Sequence, residues 1–99
     1  MYITITGMEY YAGASAVRVG QGLILAKDDH NEYDDEAIRV LTQSRGKCGY
    51  VANSVHTVAR GTHSAGYIRR LFDQETGCTV RFILNDAVIA ELDGVKDNA

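Results

Sequence analysis

The stretch from residue 28 to residue 36 concentrates side chains that could bind a ligand. Six of its nine residues are acidic, and Tyr33 lies among them: Asp28, Asp29, Glu32, Asp34, Asp35 and Glu36. The stretch could be a metal loop, a solvated turn or the rim of a binding pocket. A calcium loop of the EF-hand type needs a glycine at its sixth position. Counted from Asp29, that position holds Asp34, so the spacing argues against calcium.

The histidines and cysteines do not form a motif that points to a metal site or a nucleophile. His56 and His63 are seven residues apart, which is outside zinc-ligand spacing, and neither Cys48 nor Cys78 belongs to a CxxC pair. There is no G-x-S-x-G motif and no glycine-rich phosphate loop. We therefore expect no metal, no cofactor and no enzymatic activity. The two cysteines are predicted to be reduced thiols buried in the core.

The basic residues are clustered although the net charge is −3. Residues 37–72 contain no Asp or Glu but hold Arg39, Arg45, Lys47, Arg60, Arg69 and Arg70. Such a cluster can be an ordinary solvated face. It can also be a local site for an anion such as phosphate.

Tyrosine is the abundant aromatic residue, with six copies and no tryptophan. Tyr10 and Tyr11 fall in a predicted loop, Tyr33 in the acidic stretch and Tyr50 in a predicted strand. Tyrosines near strand ends can stack on a nucleic-acid base and form hydrogen bonds through their hydroxyls. Alternatively, each ring is half-buried with its hydroxyl in water, and the residues alone leave both interpretations open.

Alternation of apolar and polar residues predicts the strands that would position these side chains. Four are expected at residues 2–6, 22–27, 36–42 and 47–52, the last two forming a hairpin, and two more at 78–84 and 87–92. Asn85-Asp86 is a turn dipeptide that joins the final pair.

The region after Asn53 has helical spacing instead. A short turn is predicted at residues 54–58, with Ser54 as its N-cap. A helix is predicted to follow, capped by Thr62 or Ser64 and ended near Gly77. Its residues expected to face the core are Ala65, Ile68, Leu71 and Phe72.

These elements predict a mainly β fold with α (α+β): a small OB-like, curled antiparallel barrel of about six strands with one or two helices. Residues 1–94 are expected to form a single domain, and residues 95–99 a flexible tail. No run of 18 or more apolar residues is present, so we expect no membrane partner. The N-terminal "MYITITGM" does not resemble a signal peptide, which favours a cytoplasmic location.

Three blocks of the sequence, "MEYYAG", "NEYDDEAIRV" and "CGYVANS", resemble the HIRAN domain family. The matching residues are Tyr10, Tyr11, Gly13, Leu25, Asp28, Asn31, Tyr33, Asp34, Ala37, Ile38, Val40, Gly49 and Tyr50. The family occurs at the N-terminus of some helicase-like DNA repair translocases and as stand-alone bacterial proteins. The chain resembles a stand-alone bacterial member.

The resemblance implies a modified OB-like barrel that binds the 3′ end of single-stranded DNA, as eukaryotic members do. Tyr10 would stack on the terminal base. Tyr33 and Asp34 would lie at the 3′-hydroxyl, Asn31 would shape their loop, and Tyr50 would be a pocket residue. The full set expected to bind nucleic acid is Tyr10, Tyr11, Lys27, Asn31, Tyr33, Asp34, Tyr50 and Asn53.

Some positions depart from the DNA-binding members of the family. Glu9 stands where they carry Arg, Lys27 stands at an Arg position, and Asn53 stands where a relative has Lys. Each lost cation removes about one phosphate contact. Two hypotheses follow: a module that binds single-stranded nucleic acid, DNA rather than RNA, or a protein-interaction module that kept the fold and lost DNA binding.

Overall fold

The computed structural model describes residues 1–8 and 17–94. Six antiparallel strands close into a barrel in the spatial order β1-β4-β3-β2-β5-β6. The strands are β1 (Tyr2–Thr6), β2 (Gly22–Lys27), β3 (Ile38–Leu41), β4 (Lys47–Val51), β5 (Glu75–Ile83) and β6 (Val88–Leu92). The helix α1 (Ala65–Ile68) continues into a 3₁₀ turn, Arg69–Leu71. The predicted fold class is confirmed.

The barrel interior is filled by the inward-facing apolar residues of every strand. Its fully buried members include Ile3, Ile5, Leu23, Leu25, Ile38, Val40, Val80 and Val88. Cys48 and Cys78 are free thiols with no exposed surface, which confirms their predicted place in the core. Burial raises the pKa of both thiols, that of Cys78 to about 12, because the interior disfavours a thiolate.

Gly49 lets β4 lie close to β1. A Cβ atom at this position would be 2.7 Å from the backbone oxygen of Thr6 and 3.1 Å from the Ile5 side chain. The register between β3 and β4 also shifts at Val40/Leu41, which is a β-bulge. Because of the close contact with Thr6 and Ile5, any side chain larger than hydrogen at Gly49 would force β4 away from β1.

The segment between β4 and α1 is held against the outer side of β1 by Thr4. The Thr4 side chain is almost completely buried (1% exposed). Its Oγ1 accepts a hydrogen bond from the backbone N–H of Ala59 (3.1 Å) and shares one with Thr62 Oγ1 (2.8 Å). The backbone N–H of His63 donates to Tyr2 O at 2.8 Å. This segment is thus anchored by contacts with residues more than fifty positions away in the chain.

The helical region is shorter than the sequence predicts. Ser64 is the N-cap of α1, since its side chain accepts from Tyr67 N, as expected. Residues 54–58 form only a single turn, closed by a bond from Val58 N to Ser54 O. Leu71 is exposed (39%), contrary to prediction, because the chain becomes extended at Phe72 and that ring contacts the core instead.

The placement of Gly77 at the end of the helix is wrong. Gly77 lies inside β5 and pairs with Ile24 of β2, so β5 begins at Glu75 and not at Cys78. The space left by its missing side chain is filled by Asp93, whose Oδ2 lies 2.7 Å from the Cβ position. Pairing with β2 therefore outweighed the local helix-stop pattern.

None of the helices in the described part of the chain is long and apolar enough to cross a membrane. The predicted flexible tail, residues 95–99, lies outside the described residues.

Candidate functional site

The acidic loop between β2 and β3 is shaped by the side chain of Asn31. Its Oδ1 accepts hydrogen bonds from the backbone N–H groups of Tyr33 and Asp34, both at 2.9 Å. Asx side chains commonly stabilise turns in this way. The amide Nδ2 donates to Asp28 Oδ2 at 3.3 Å. The loop is thus a hydrogen-bonded turn that presents the side chains of residues 33 and 34 in a defined direction.

Asp34 connects this loop to the segment that follows β4. Its Oδ1 accepts from Glu36 N at 2.9 Å, and its Oδ2 accepts from Asn53 Nδ2 at 3.2 Å. Asn53 Nδ2 also donates to Glu36 Oε1 at 3.1 Å, and Asn53 Oδ1 accepts from Gly66 N at 2.8 Å. Each carboxylate oxygen of Asp34 has one hydrogen bond, and a carboxylate oxygen has a second lone pair to offer.

Five of the eight predicted site residues line one cavity of about 420 Å³. We name it the Asp34 cavity, and these residues are Asn31, Tyr33, Asp34, Tyr50 and Asn53. The Tyr33 side chain is 93% exposed although its backbone is held by Asn31, so its ring is available to a ligand. Asp34 is the one charged residue among the lining residues that the structure describes.

Tyr50 links the Asp34 cavity to a basic side chain. The hydroxyl of Tyr50 donates to Asp28 Oδ2 at 3.3 Å and accepts from Lys47 Nζ at 2.6 Å. The same ammonium lies 4.5 Å from the centre of the Tyr50 ring, within the range of a cation–π interaction. Lys47 was not among the predicted site residues. Its three-residue spacing from Tyr50 gave no sign of this contact, because residues three apart in a regular strand point to opposite faces, whereas the pairing register of β4 with β3 shifts between Lys47 and Gly49.

Of the other three predicted residues, the structure describes Lys27, which is not among the described residues that line this cavity. Lys27 Nζ donates to the backbone oxygen of Phe72 at 2.8 Å and lies 5.0 Å from the centre of the Phe72 ring. Its ammonium is therefore engaged by the end of the helical region. Tyr10 and Tyr11 lie outside the described residues.

A second cavity, of about 520 Å³, adjoins the first. We name it the Tyr67 cavity, and its lining includes Asn53, Arg60, His63 and Tyr67. The rings of His63 and Tyr67 are stacked, with their centroids 4.6 Å apart and an interplanar angle of 23°. Sequence reasoning missed this site. No helical signal in the sequence pointed to this pair, because His63 precedes Ser64, the N-cap of α1, and lies outside the helix.

The structure divides the basic cluster of residues 37–72 into paired and unpaired members. Arg45 forms an exposed ion pair with Glu75 (2.6 Å), and Arg69 forms one with Asp29 (3.2 Å). The hydrogen bond from Arg45 lowers the pKa of Glu75 and raises that of Arg45. Within the described residues, Arg60 has no carboxylate partner. The predicted basic cluster is thus not one uniform anion site.

Within residues 1–8 and 17–94, no three His, Cys, Asp or Glu side chains form a group that could hold a metal ion. Four of the six acids of residues 28–36 instead accept hydrogen bonds from the loop itself, from Tyr50, from Asn53 or from Arg69: Asp28, Asp29, Asp34 and Glu36.

Comparison with solved structures shows the same architecture in other proteins. A crystal structure of a protein from Lactobacillus plantarum has a TM-score of 0.62 and 24% identity, with 92% of this chain and 87% of that chain covered. The crystal structure of the HIRAN domain of human HLTF has a TM-score of 0.60 and 21% identity, with 93% and 73% covered. At these identities the similarity establishes the fold. No curated protein matches the chain significantly.

The fold and the cavity define a small closed β-barrel domain with a polar cavity beside its acidic loop. The family model of the HIRAN domain matches residues 1–69, which is more than half of the chain. The chain therefore belongs to the HIRAN domain family, and the resemblance noted in the sequence is confirmed.

Proposed function

We propose that this HIRAN domain binds the 3′-hydroxyl end of a single-stranded nucleic acid, DNA rather than RNA, in the Asp34 cavity. The observation that carries the proposal is the composition of that cavity. Its described lining residues include the carboxylate of Asp34 and no Lys or Arg. Membership of the HIRAN family and the fold of the human HLTF domain support nucleic-acid binding in general.

The charge of the Asp34 cavity selects for a hydroxyl and against a phosphate. A carboxylate accepts a hydrogen bond from a neutral hydroxyl strongly, because a charged acceptor gives a shorter and stronger bond. A terminal phosphate brings only acceptors and negative charge, so it would be repelled by Asp34. Asp28 and Glu36 are held near the cavity by hydrogen bonds from two of its lining residues, Tyr50 and Asn53. Their negative charges therefore add to the repulsion of a phosphate.

Tyr33 supplies the apolar contact that the carboxylate cannot. The Tyr33 residue is 93% exposed, so its ring is open to a base or sugar, and its backbone is already ordered by the 2.9 Å hydrogen bond to Asn31 Oδ1. Stacking of one base on an aromatic ring contributes about 1–3 kcal/mol. Tyr33 and Asp34 are therefore proposed to act together, one by stacking and one by hydrogen bonding. Tyr10 keeps its proposed stacking role, and Tyr11 stays a proposed nucleic-acid-binding residue.

The test is fluorescence anisotropy at low salt with two DNA oligonucleotides that differ only at the end, 3′-hydroxyl or 3′-phosphate. We expect the wild-type protein to prefer the hydroxyl by about tenfold or more, the range of one charge-assisted hydrogen bond. Asp34→Asn should abolish the preference, and Tyr33→Ala should weaken binding of both ends. Equal binding of both ends by the wild-type protein would overturn the proposal.

Asp35→Asn is the matched control for Asp34→Asn. It removes the same charge one position along the loop, and the described structure gives the Asp35 carboxylate no hydrogen bond. We expect it to retain the preference for the hydroxyl end. A ribonucleotide oligomer of the same sequence tests the choice of DNA over RNA.

A second candidate function, protein interaction, is favoured by an apolar surface beside the Tyr67 cavity. Phe82, Ile83 and Leu84 are exposed at the end of β5, beside a cavity of about 330 Å³ that Tyr2 and Ile89 also line. A nuclease-treated pull-down that returns one partner with the wild-type protein, and loses it with Phe82→Glu, would support this function. A partner retained by Phe82→Glu would count against it.

The domain bounds, the absence of catalysis, the location and the biological process are also proposals. We propose that residues 1–94 act as one binding domain without catalysis, in the cytoplasm of a bacterium and in DNA repair. The free, buried thiols of Cys48 and Cys78 support a reducing compartment. The family match supports a binding role.

A further inference from the structure

The two cavities share one described lining residue. Asn53 lines both of them. On one side its Nδ2 donates to Asp34 Oδ2 at 3.2 Å, and on the other its Oδ1 accepts from Gly66 N at 2.8 Å. A nucleic-acid strand whose 3′-terminal nucleotide occupies the Asp34 cavity would therefore have the Tyr67 cavity beside its next nucleotide.

The Tyr67 cavity has the opposite charge character to the Asp34 cavity. Its described lining contains no Asp or Glu and includes the guanidinium of Arg60. Arg70 adds a second cation, with Cζ 4.7 Å from the centre of the Tyr67 ring. Phosphates that are excluded from the carboxylate side of Asn53 would thus be attracted to its other side.

The stacked rings of His63 and Tyr67 suit a base. The Tyr67 side chain is 40% exposed and forms the wall of a cavity of about 520 Å³, a volume in the usual range for small-molecule sites. Aromatic side chains next to guanidinium groups are the combination that binds single strands without reading their sequence.

The cavity is held in shape before any ligand arrives. Thr4 Oγ1 bonds the backbone of Ala59 and the hydroxyl of Thr62, and His63 N donates to Tyr2 O. These bonds fix both ends of the segment that carries Arg60. A preformed wall lowers the entropy cost of binding.

We infer that the Tyr67 cavity binds the nucleotide next to the 3′-terminal one, with its base against the His63–Tyr67 pair and its phosphate at Arg60. This inference rests on the proposed function, because the Asp34 cavity sets the position of the 3′ end. It also explains how the chain can have Asn53 at the position where a DNA-binding relative has Lys. The cation that binds the phosphate is then Arg60, in the neighbouring Tyr67 cavity.

The experiment measures affinity against oligonucleotide length for deoxythymidine oligomers of one to four nucleotides, each with a 3′-hydroxyl. For the wild-type protein, we expect the second nucleotide to raise the affinity by about tenfold, the range of one stacked base. The double variant His63→Ala/Tyr67→Ala should lose this gain and keep the preference for hydroxyl over phosphate ends. His56→Ala, an exposed histidine of the same segment outside the lining, is the control.

The role of Arg60 is tested by the dependence of affinity on salt. Each phosphate contact on a single strand contributes about 0.7 to the slope of log K against log salt. Arg60→Gln should therefore lower the slope by about that amount, and Arg18→Gln, an exposed arginine elsewhere on the barrel, should not. An unchanged slope in Arg60→Gln would overturn the assignment of the phosphate.

The outcomes separate this inference from the function on which it rests. If the protein prefers a 3′-hydroxyl end but a second nucleotide does not raise the affinity, the proposed role of the Asp34 cavity stands and the Tyr67 subsite is overturned. The same gain in the double variant also overturns the subsite. A gain that depends on Tyr67 without end preference supports the subsite as a general binding surface and overturns end recognition. Thermal unfolding of each variant checks that the fold is intact.

Discussion

The Asp34 cavity and the Tyr67 cavity share Asn53 but are built in opposite ways. The first is shaped by hydrogen bonds between residues two or three positions apart, chiefly those of Asn31 and Asp34. The second is held by bonds that span 55 and 58 residues, from Thr4 to Ala59 and Thr62. Local bonds follow from the sequence of one loop, whereas distant bonds exist only once the barrel has closed.

The two cavities also divide the chemistry of a nucleic-acid end. The carboxylate side suits a hydroxyl, and the guanidinium side suits a phosphate and a base. A domain with a net charge of −3 can therefore bind an anion locally, because what acts on the ligand at close range is the nearby charge and not the total. Three substitutions and one change of pH test this contrast.

The largest effect is expected from Gly49→Ala, in the strand beneath the Asp34 cavity. The new Cβ would lie 2.7 Å from Thr6 O, a clash with backbone that cannot turn away. We expect the free energy of unfolding to fall by about 2–3 kcal/mol, measured by urea denaturation. Gly46→Ala is the control, since its Cβ would meet only Thr42 Oγ1 at 3.4 Å. Equal stability of the two variants would contradict the strand packing described here.

Thr4→Val should loosen the Tyr67 cavity and spare the Asp34 cavity. The substitution keeps the shape of the side chain but leaves the Ala59 N–H without its acceptor. The expected loss of stability is about 1–3 kcal/mol, the cost of one buried unsatisfied group. The gain in affinity from a second nucleotide should fall, while the preference for a hydroxyl end remains. Thr76→Val, at a half-buried strand position, is the matched control; an equal loss there would show that Thr4 is not a special anchor.

High pH should weaken the barrel that carries both cavities. The pKa of the Cys78 thiol is raised from 9.0 to about 12, mainly by burial. Between these values the unfolded chain releases a proton that the folded chain keeps, so stability is full below about pH 9 and falls by about 1.4 kcal/mol per pH unit above it. Urea denaturation at about pH 8 and about pH 10 should show this loss, and Cys78→Ala should reduce it. The same pH dependence in Cys78→Ala would assign the loss to other groups.

The smallest effect on stability is expected from Asn31→Ala. The bonds lost are those to Tyr33 N and Asp34 N in a partly exposed turn, so we expect a loss of about 1 kcal/mol by thermal or urea unfolding. The preference for the 3′-hydroxyl should decrease because the turn no longer orients Asp34. Glu32→Ala, in the same loop, should leave both stability and preference unchanged. A preference that survives in Asn31→Ala would mean that Asn53 alone orients the carboxylate.

Alternation was sufficient to predict the strands but not their exact ends. β1 and β2 begin and end where expected, because each has a clear apolar face. β5 begins three residues before the predicted start, since pairing of Glu75 with Ala26 of β2 extends it through Gly77. Leu71 was misplaced because α1 ends at Ile68 and the chain continues as a 3₁₀ turn. Such a turn has three residues per turn, so the buried face of an α-helix cannot be extrapolated to Leu71.

The grouping of Asn31, Tyr33 and Asp34 was predictable, because all three belong to one short turn. The addition of Tyr50 and Asn53 to the same cavity was implied by the family resemblance. The Lys27 ammonium lies at the backbone oxygen and ring of Phe72, outside the described lining of that cavity, and its contact with nucleic acid stays a prediction. Lys47 and the His63–Tyr67 pair were not predicted, because their contacts depend on a bulge and on the docking of a whole segment.

The sequence alone was enough to predict the apolar faces of the strands, the position of the acidic turn and the burial of both cysteines. These properties depend on side-chain alternation and on hydrogen bonds between near neighbours. The position of β1 between β4 and β6 became known only from the folded structure. So did the place of Asn53 in the lining of two cavities, one with a carboxylate and one with a guanidinium. Alternation shows which face of a strand is buried, but it does not show which distant strand or segment will lie beside it.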